Sequence, residues 1–494
     1  MDRISPEILS IIVGYLYSPP PEATTRMPWD DPPPPPTFVP YACISRQWQL
    51  AVEAHTFSTI NLSSDELDQF SEIFSNVRRR GYLKSIEYDV LLSTYSEGWE
   101  ESRGPSRLRL KAYSPMDMGS RSYEADPGLE DERTEGHFLE FPDDSKSLPV
   151  VPRITSFELE GSGCRHLHLD AVGKILAAIP QVERLDLRLY EPKMKREAMR
   201  RDHRNALAQT FTRLSPLPSL RTLHLHYESR EPLNHSFNPG DLRSPNQTVD
   251  GLSIALHTLS SSPGSVLKEL YLSGPFILSP HPFWPPHDEE STNEKLSPST
   301  LQRVTIESSV ITPEGTWYYT GDPASVPINT DELRGADDPD SDSDSESDSD
   351  SDSNSNASTD SLVPDSFNAR REALLNGDIP SHNWRTQLDA PHVDSLISAI
   401  ARGVQNMPDL KGLSLKMGLQ LQGFSALIVE VLDAGEELRD PPVSGEVDGM
   451  GKRRFKVWVG SETSWEMDEN VKGEMRRSLG EDGVVTVETW PADP

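Results

Sequence analysis

The chain has 494 residues, of which 79 are Asp or Glu and 47 Lys or Arg, leaving a formal net charge of −32. That charge disfavours a nucleic-acid partner, which needs a basic surface against phosphate, and no run of about eighteen apolar residues is present to span a membrane. Only Cys43 and Cys164 occur, too few for a disulfide framework or a metal knuckle.

The length accommodates about two to four domains. With 43 prolines and 35% hydrophobic residues, part of the chain is expected to stay unpacked. Asp2 beside Arg3 argues against a secretory leader. A reducing compartment, cytoplasm or nucleus, is expected, where the Asn-x-Ser/Thr matches at Asn61, Asn234, Asn246 and Asn356 carry no meaning.

In chain order, the first signal is Ile4-Ser5-Pro6-Glu7-Ile8-Leu9 followed by Ile12 and Leu16. Ser5 is placed as an N-cap and Pro6 sits where a first helical turn tolerates a missing N–H. Ile8, Leu9, Ile12 and Leu16 fall at helical spacing. After a proline-rich break come Tyr41-Ala-Cys-Ile-Ser-Arg-Gln-Trp48, Leu50-Ala51 and Phe57. Residues 3–62 resemble the F-box, with Ser5 in place of the usual Leu and an insertion at 18–40 where a short second helix belongs. The resemblance implies that Pro6, Ile8, Leu9, Ile12, Leu16, Ile44 and Trp48 bind a Skp adaptor, with Cys43 as a buried small residue. The bland account is a helical hairpin that needs the same residues for its own core.

The insertion holds Ser-Pro-Pro-Pro and Pro32–Pro36, a polyproline II spacer by composition. Residues 96–150 are rich in Ser, Gly, Asp, Glu and Pro and read as a long loop.

From residue 83 onward one pattern recurs: apolar, two others, apolar, one other, apolar. It stands at Leu83-Ile86-Tyr88, Ile154-Phe157-Leu159, Val182-Leu185-Leu187, Leu220-Leu223-Leu225, Leu267-Leu270-Leu272, Leu301-Val304-Ile306 and Leu410-Leu413-Leu415. Each unit alternates like a strand. Helical stretches at Ala171–Ile179, Glu197–Leu214 and His392–Gln405 precede a proline and then a strand. The combination resembles the leucine-rich repeat, whose units bury their faces only against neighbours. First positions are separated by 71, 28, 38, 47, 34 and 109 residues, so the repeats are irregular and carry large insertions.

The residues between the apolar positions define a polar face: Ser156, Glu158, Glu160; Arg184, Asp186, Arg188; Thr222, His224, His226; Glu269, Tyr271; Arg303, Thr305, Glu307. Of these, Arg184, Asp186, Arg188, His224, His226, Glu269, Tyr271 and Arg303 are the candidate protein-substrate residues, because Arg and Tyr are common interface anchors. A plain solvated face is nearly as good an account. Lys193, Lys195, Arg196, Arg200, Arg201 and Arg204, interrupted by Glu197 and Asp202, read as the solvated face of a helix.

Residues 331–360 hold twelve acids against Arg334 alone and are expected to be disordered. Ser341, Ser343, Ser345, Ser347 and Ser349 each have an acid three residues on, which resembles sites of casein kinase II-type kinases; a solubilising loop is an equal account. Deletion of this tract from the packed path leaves the strand at 410 to stack on the strand at 301. The last block shows strands at Leu427–Leu432, Phe455–Val459 and Val484–Trp490, a helix around Asp468–Leu479, and Trp458, Trp465 and Trp490 as core.

No phosphate-cradling glycine loop, His-Glu-x-x-His, Cys-x-x-Cys or Gly-x-Ser-x-Gly is present. His166/His168 and His224/His226 are spaced to share strand faces, but without an acid or thiol set they read as surface histidines. No enzyme, cofactor or metal is therefore expected. The fold expected is α/β: a 1–62 F-box-like helical hairpin, an irregular leucine-rich-repeat-like solenoid over 63–319, an acidic tract over 320–366, a final repeat at 367–418 and an α+β cap at 419–494. Similarity to the large fungal set of F-box proteins with divergent repeats implies a receptor of a Skp–cullin–F-box ubiquitin ligase. The alternative is a non-ligase scaffold with a degenerate F-box.

Overall fold

The computed structural model describes residues 5–17, 39–63, 66–83, 85–91, 107–113, 154–160, 167–214, 217–228, 231–286, 298–329, 364–418, 427–436, 451–461, 463–480 and 482–489, with Phe138 and Val150 singly. The proline tract, His166, Trp490 and the serines from Ser341 to Ser349 lie outside these residues. The protein is mixed α/β with a large, mostly parallel sheet, and divides into two compact units, 1–167 with 175–187 and 168–174 with 188–494. No helix among the described residues is long and apolar enough to cross a membrane.

The first unit begins with α1 (Pro6–Tyr17), α2 (Val39–Ala42) and α3 (Arg46–Thr56). Ser5 caps α1, its hydroxyl 3.4 Å from the Ile8 N–H, and Ser45 caps α3 through the Trp48 N–H. Each cap satisfies a donor that the first turn leaves open. Leu9 and Val13 of α1 close on Ala51 and Val52 of α3, with Ala42 and Trp48 packed against them. The short α2 begins at the last two residues of the span read as insertion and runs on into the Tyr41–Trp48 segment. Cys43, expected to be buried, is exposed, because it falls in the turn between α2 and α3.

Next come β1 (Thr59–Ser63), α4 (Leu67–Ile73), α5 (Val77–Arg80), β2 (Ser85–Leu91), β3 (Arg107–Tyr113) and β4 (Ser156–Glu160). β1 and β2 are parallel, whereas β3 runs antiparallel to both β2 and β4. β3 corrects the reading of 96–150 as loop throughout. Its backbone is in register with both neighbours, Leu110 paired with Tyr88 on β2 and with Leu159 on β4. After α6 (Leu169–Ala178), β5 (Arg184–Tyr190) pairs in parallel with β4.

The second unit is built on α7 (Glu197–Leu214), β6 (Thr222–Glu228), α8 (Gly251–Ser261), β7 (Glu269–Phe276), β8 (Arg303–Ser308), β9 (Tyr319–Thr320), α9 (Pro364–Asn376), β10 (Gln387–Leu388), α10 (Ala390–Gln405), β11 (Gly412–Met417), β12 (Leu427–Leu432), β13 (Arg454–Val459), α11 (Glu469–Leu479) and β14 (Val484–Thr489). β6, β7, β8 and β11 are parallel neighbours, so β11 does pair with β8. β12 turns antiparallel to β11 and β13, and β14 runs parallel to β13. β9 and β10 form a separate two-stranded ladder.

Alternation decides which side of each strand is covered. Leu223, Leu225, Leu270, Leu272, Val304, Ile306, Leu413 and Leu415 are buried, while most residues between them are half-buried. This period of two is what the spacing of the apolar positions dictates.

The basic helix face is corrected. Arg200 is 1% exposed and Arg204 5%. Arg200 meets Glu191 at 2.9 Å and the Pro239 carbonyl at 2.9 Å. Arg204 is held by both Asp250 oxygens at 2.8 Å and by the Ile277 carbonyl. Burial works against both charges of that pair, yet their attraction holds Asp250 below the ordinary carboxylate range and Arg204 above its own ordinary value. Glu191 precedes α7 and the other partners follow it, outside the helix itself, which is why the helix alone looked solvated.

Candidate docking surfaces

The α1–α3 hairpin spends only one of its apolar faces on itself. Leu9 and Val13, one turn apart, are 1% exposed, whereas Ile8, Ile11 and Tyr15 are 52%, 59% and 81% exposed. Spacings of three and four residues place those three on one stripe. Leu16, Tyr41 and Ile44 are exposed as well. Of the seven expected adaptor residues, Ile8, Leu16 and Ile44 thus lie outward and Ile12 is half-buried. Leu9 belongs to the hairpin core, and Trp48 is half-buried against that core with its ring stacked on Tyr41. Pro6 opens α1. Ile11 and Tyr15 were not singled out by the spacing argument, because α1 is apolar on nearly every side.

Polar contacts brace the hairpin at two places. His55 Nε2 lies 3.0 Å from the Ser10 carbonyl and ties α3 to α1. Glu53, buried on α3, accepts from Arg78 of α5 at 2.7 Å, Arg79 of α5 at 3.4 Å and Gln49 at 3.2 Å. Arg79 also covers the Phe57 ring, and Phe57 meets Phe74 edge-on.

The polar sheet face of the second unit is laid out in rows. Thr222, Glu269 and Arg303 are successive partners; so are His224, Tyr271, Thr305 and Ser414. His224 and Tyr271 meet edge to face at 4.4 Å, and His226 Nδ1 lies 2.9 Å from the Ser273 hydroxyl. Glu269 accepts from Thr222, and Arg303 approaches Glu436 at 3.8 Å. Glu307 accepts from the Gly274 N–H and stands opposite Lys416. In the first unit Arg184 and Asp186 sit 3.7 Å apart on β5, where Asp186 is the partner of Glu158; Arg188 on the same strand is half-buried.

The rows continue from β11 into β12, β13 and β14. Ser414 stands opposite Glu430, Glu430 opposite Lys456, and Lys456 opposite Thr486. Burial, against the pull of Lys416 and Lys456, pushes Glu430 up to about 7. Trp458, expected in a compact core, is buried, on the same face of β13 as Lys456. The alternation Arg454, Lys456, Trp458 was the signal for this face.

One grouping has the order of a nucleophile relay. His392 meets Asp389 through Nδ1 and lies 3.3 Å from the Thr316 hydroxyl through Nε2. Asp389 is the N-cap of α10, however. The Thr316 hydroxyl and N–H both engage Thr312. The group is a turn-and-cap lock. No cluster of three or more His, Cys, Asp or Glu suited to a metal occurs among the described residues. No family model matches the chain, and neither a curated protein nor a solved structure was found to be similar to it.

Proposed function

We propose that the chain is the substrate-recognition subunit of a Skp–cullin–F-box ubiquitin ligase. The hairpin takes the Skp adaptor, which joins it to the cullin scaffold, and the polar sheet face takes a protein substrate. The observation that carries this reading is the stripe of Ile8, Ile11 and Tyr15, exposed on a hairpin whose core is already closed by Leu9, Val13, Ala51 and Val52. Exposed apolar residues gathered on one face are a mark of protein docking. The F-box-like order of the sequence selects the partner. Such a receptor breaks no bond; it raises the concentration of substrate beside a charged conjugating enzyme.

The test is capture of purified full-length protein by the Skp adaptor, wild type against Ile8→Asp with Tyr15→Asp, with circular dichroism to establish that the variant folds. Capture of wild type and loss in the folded variant supports the reading. Absence of capture by wild type overturns it. The chain is then a protein-interaction scaffold with a degenerate F-box, a reading that the long stretch between Tyr17 and Val39 favours.

A further inference from the structure

The C-terminal strands hold a polar cluster that adaptor binding does not use. Arg454, Lys456 and Trp458 alternate along β13 and therefore share a face. Glu430 on β12 and Ser414 and Lys416 on β11 lie on that same face by register. Arg454 is 1% exposed and Glu430 4%. Arg454 Nη2 donates to the Glu436 carbonyl, but its Nε and Nη1, the Glu430 Oε2 and the Ser414 hydroxyl are buried without a hydrogen-bond partner. Buried polar atoms are nearly always paired, so an unpaired group of them calls for a missing partner. The charge count says what kind. Of the carboxylates on this face Glu430 is the buried one, with Glu307 exposed opposite Lys416 and Glu488 half-buried opposite Trp458, and a buried cation short of counter-charge is costly.

We infer that this cluster is an oxyanion-binding site whose ligand is the side-chain carboxylate or phosphate of an acidic peptide segment. The inference rests on the proposed function in one respect: the segment belongs to the protein substrate. Geometry favours a peptide. The row from His224 through Tyr271, Thr305 and Ser414 leads straight to Glu430, so an extended chain laid across the strands reaches the cluster at its end. Donors on two ammonium groups and a guanidinium suit an oxyanion well.

Glu430 is the competing anion. Its neighbours are Lys416 and Ser414 on β11, Arg454, Lys456 and Trp458 on β13, with Glu307 opposite Lys416 and Glu488 opposite Trp458. With its carboxyl titrating near 7, lowering the pH neutralises it and leaves the cations to the ligand.

The test is calorimetric titration of the full chain at low salt with an alternating Asp-Ser peptide and with the same peptide phosphorylated on serine. It is run on wild type and on a form in which the acids between 342 and 352 are amides, since that tract offers the same chemistry in cis. Binding of both peptides identifies carboxylate as sufficient, and binding of the phosphopeptide alone identifies phosphate; either supports the site. Lys456→Met is expected to weaken binding by at least about tenfold, the loss of one charged hydrogen bond. Glu430→Gln is expected to tighten binding at about pH 8 and to abolish the gain that wild type shows for the Asp-Ser peptide between about pH 8 and about pH 6. Arg454→Met is avoided because the residue is buried. Failure of both forms to bind either peptide overturns the inference, as does unchanged affinity in both Lys456→Met and Lys416→Met. Adaptor capture uses the hairpin alone, so each experiment is readable when the other fails.

Discussion

Ile8 and Leu9 are consecutive in α1, yet Leu9 is 1% exposed inside the hairpin and Ile8 is 52% exposed outside it. The two side chains answer different questions. Leu9→Ala is expected to destabilise the hairpin by about 2–5 kcal/mol, the range for truncating a buried Leu. Ile8→Asp is expected to change stability by less than about 0.5 kcal/mol, as surface changes do, while weakening adaptor capture. Denaturant melts of the two variants check the first pair of outcomes and the capture assay the second.

The Arg204–Asp250 pair predicts an asymmetry. Asp250→Asn keeps an oxygen for the α8 cap at the Ser253 N–H but leaves Arg204 buried without its counter-charge, at a cost of about 3–5 kcal/mol. Replacing both residues by apolar ones of similar size is expected to recover most of that loss. Urea unfolding of the single and double variants decides.

His235 is held down to about 4 by burial, helped by Arg385 and His382, and its Nδ1 accepts the Arg385 N–H at 2.9 Å. A base whose folded value is depressed stabilises the fold above its ordinary value near 6.5, and that contribution is lost as pH falls through about 4. Wild type is therefore expected to lose stability between about pH 6.5 and about pH 4 more steeply than His235→Gln. Denaturation midpoints across that window are the check.

Glu53 predicts a local effect. With Arg78 39% and Arg79 31% exposed at the side chain, solvent screens the pairs, and Glu53→Gln is expected to cost only about 1 kcal/mol. Its signature is faster amide exchange in α5, where both arginines sit. Unchanged exchange there would show that Phe57 and Phe74 alone secure α5.

Much of the fold was legible. All seven spaced apolar units fall in or against a strand, and α7 has the predicted bounds, because a half-covered strand must alternate and a half-covered helix must repeat near 3.6. The failures share a cause. β3 owes its place to partners on β2 and β4, and Arg200 and Arg204 owe their burial to Glu191 and Asp250; none of these partners is visible in a local window. α8 was overlooked although Asp250 caps it and Leu252, Ala255, Leu256 and Leu259 mark its buried face. For the candidate surfaces, helical spacing named Ile8 and Leu16, which lie outward, together with Leu9, which lies in the hairpin core, and missed Ile11 and Tyr15; it stopped the polar face at Glu307 when register carries it on to Thr486.

The pairing of Val304 with Leu413 has a consequence for synthesis. About a hundred residues are made between these partners, and at about 5–20 residues per second the ribosome needs about 5–20 seconds to deliver them. For that interval one side of β8 is an unpaired backbone edge on the nascent protein, open to capture by another chain. Arg303 and Glu307, charged residues near the two ends of β8, are the only gatekeepers that strand carries.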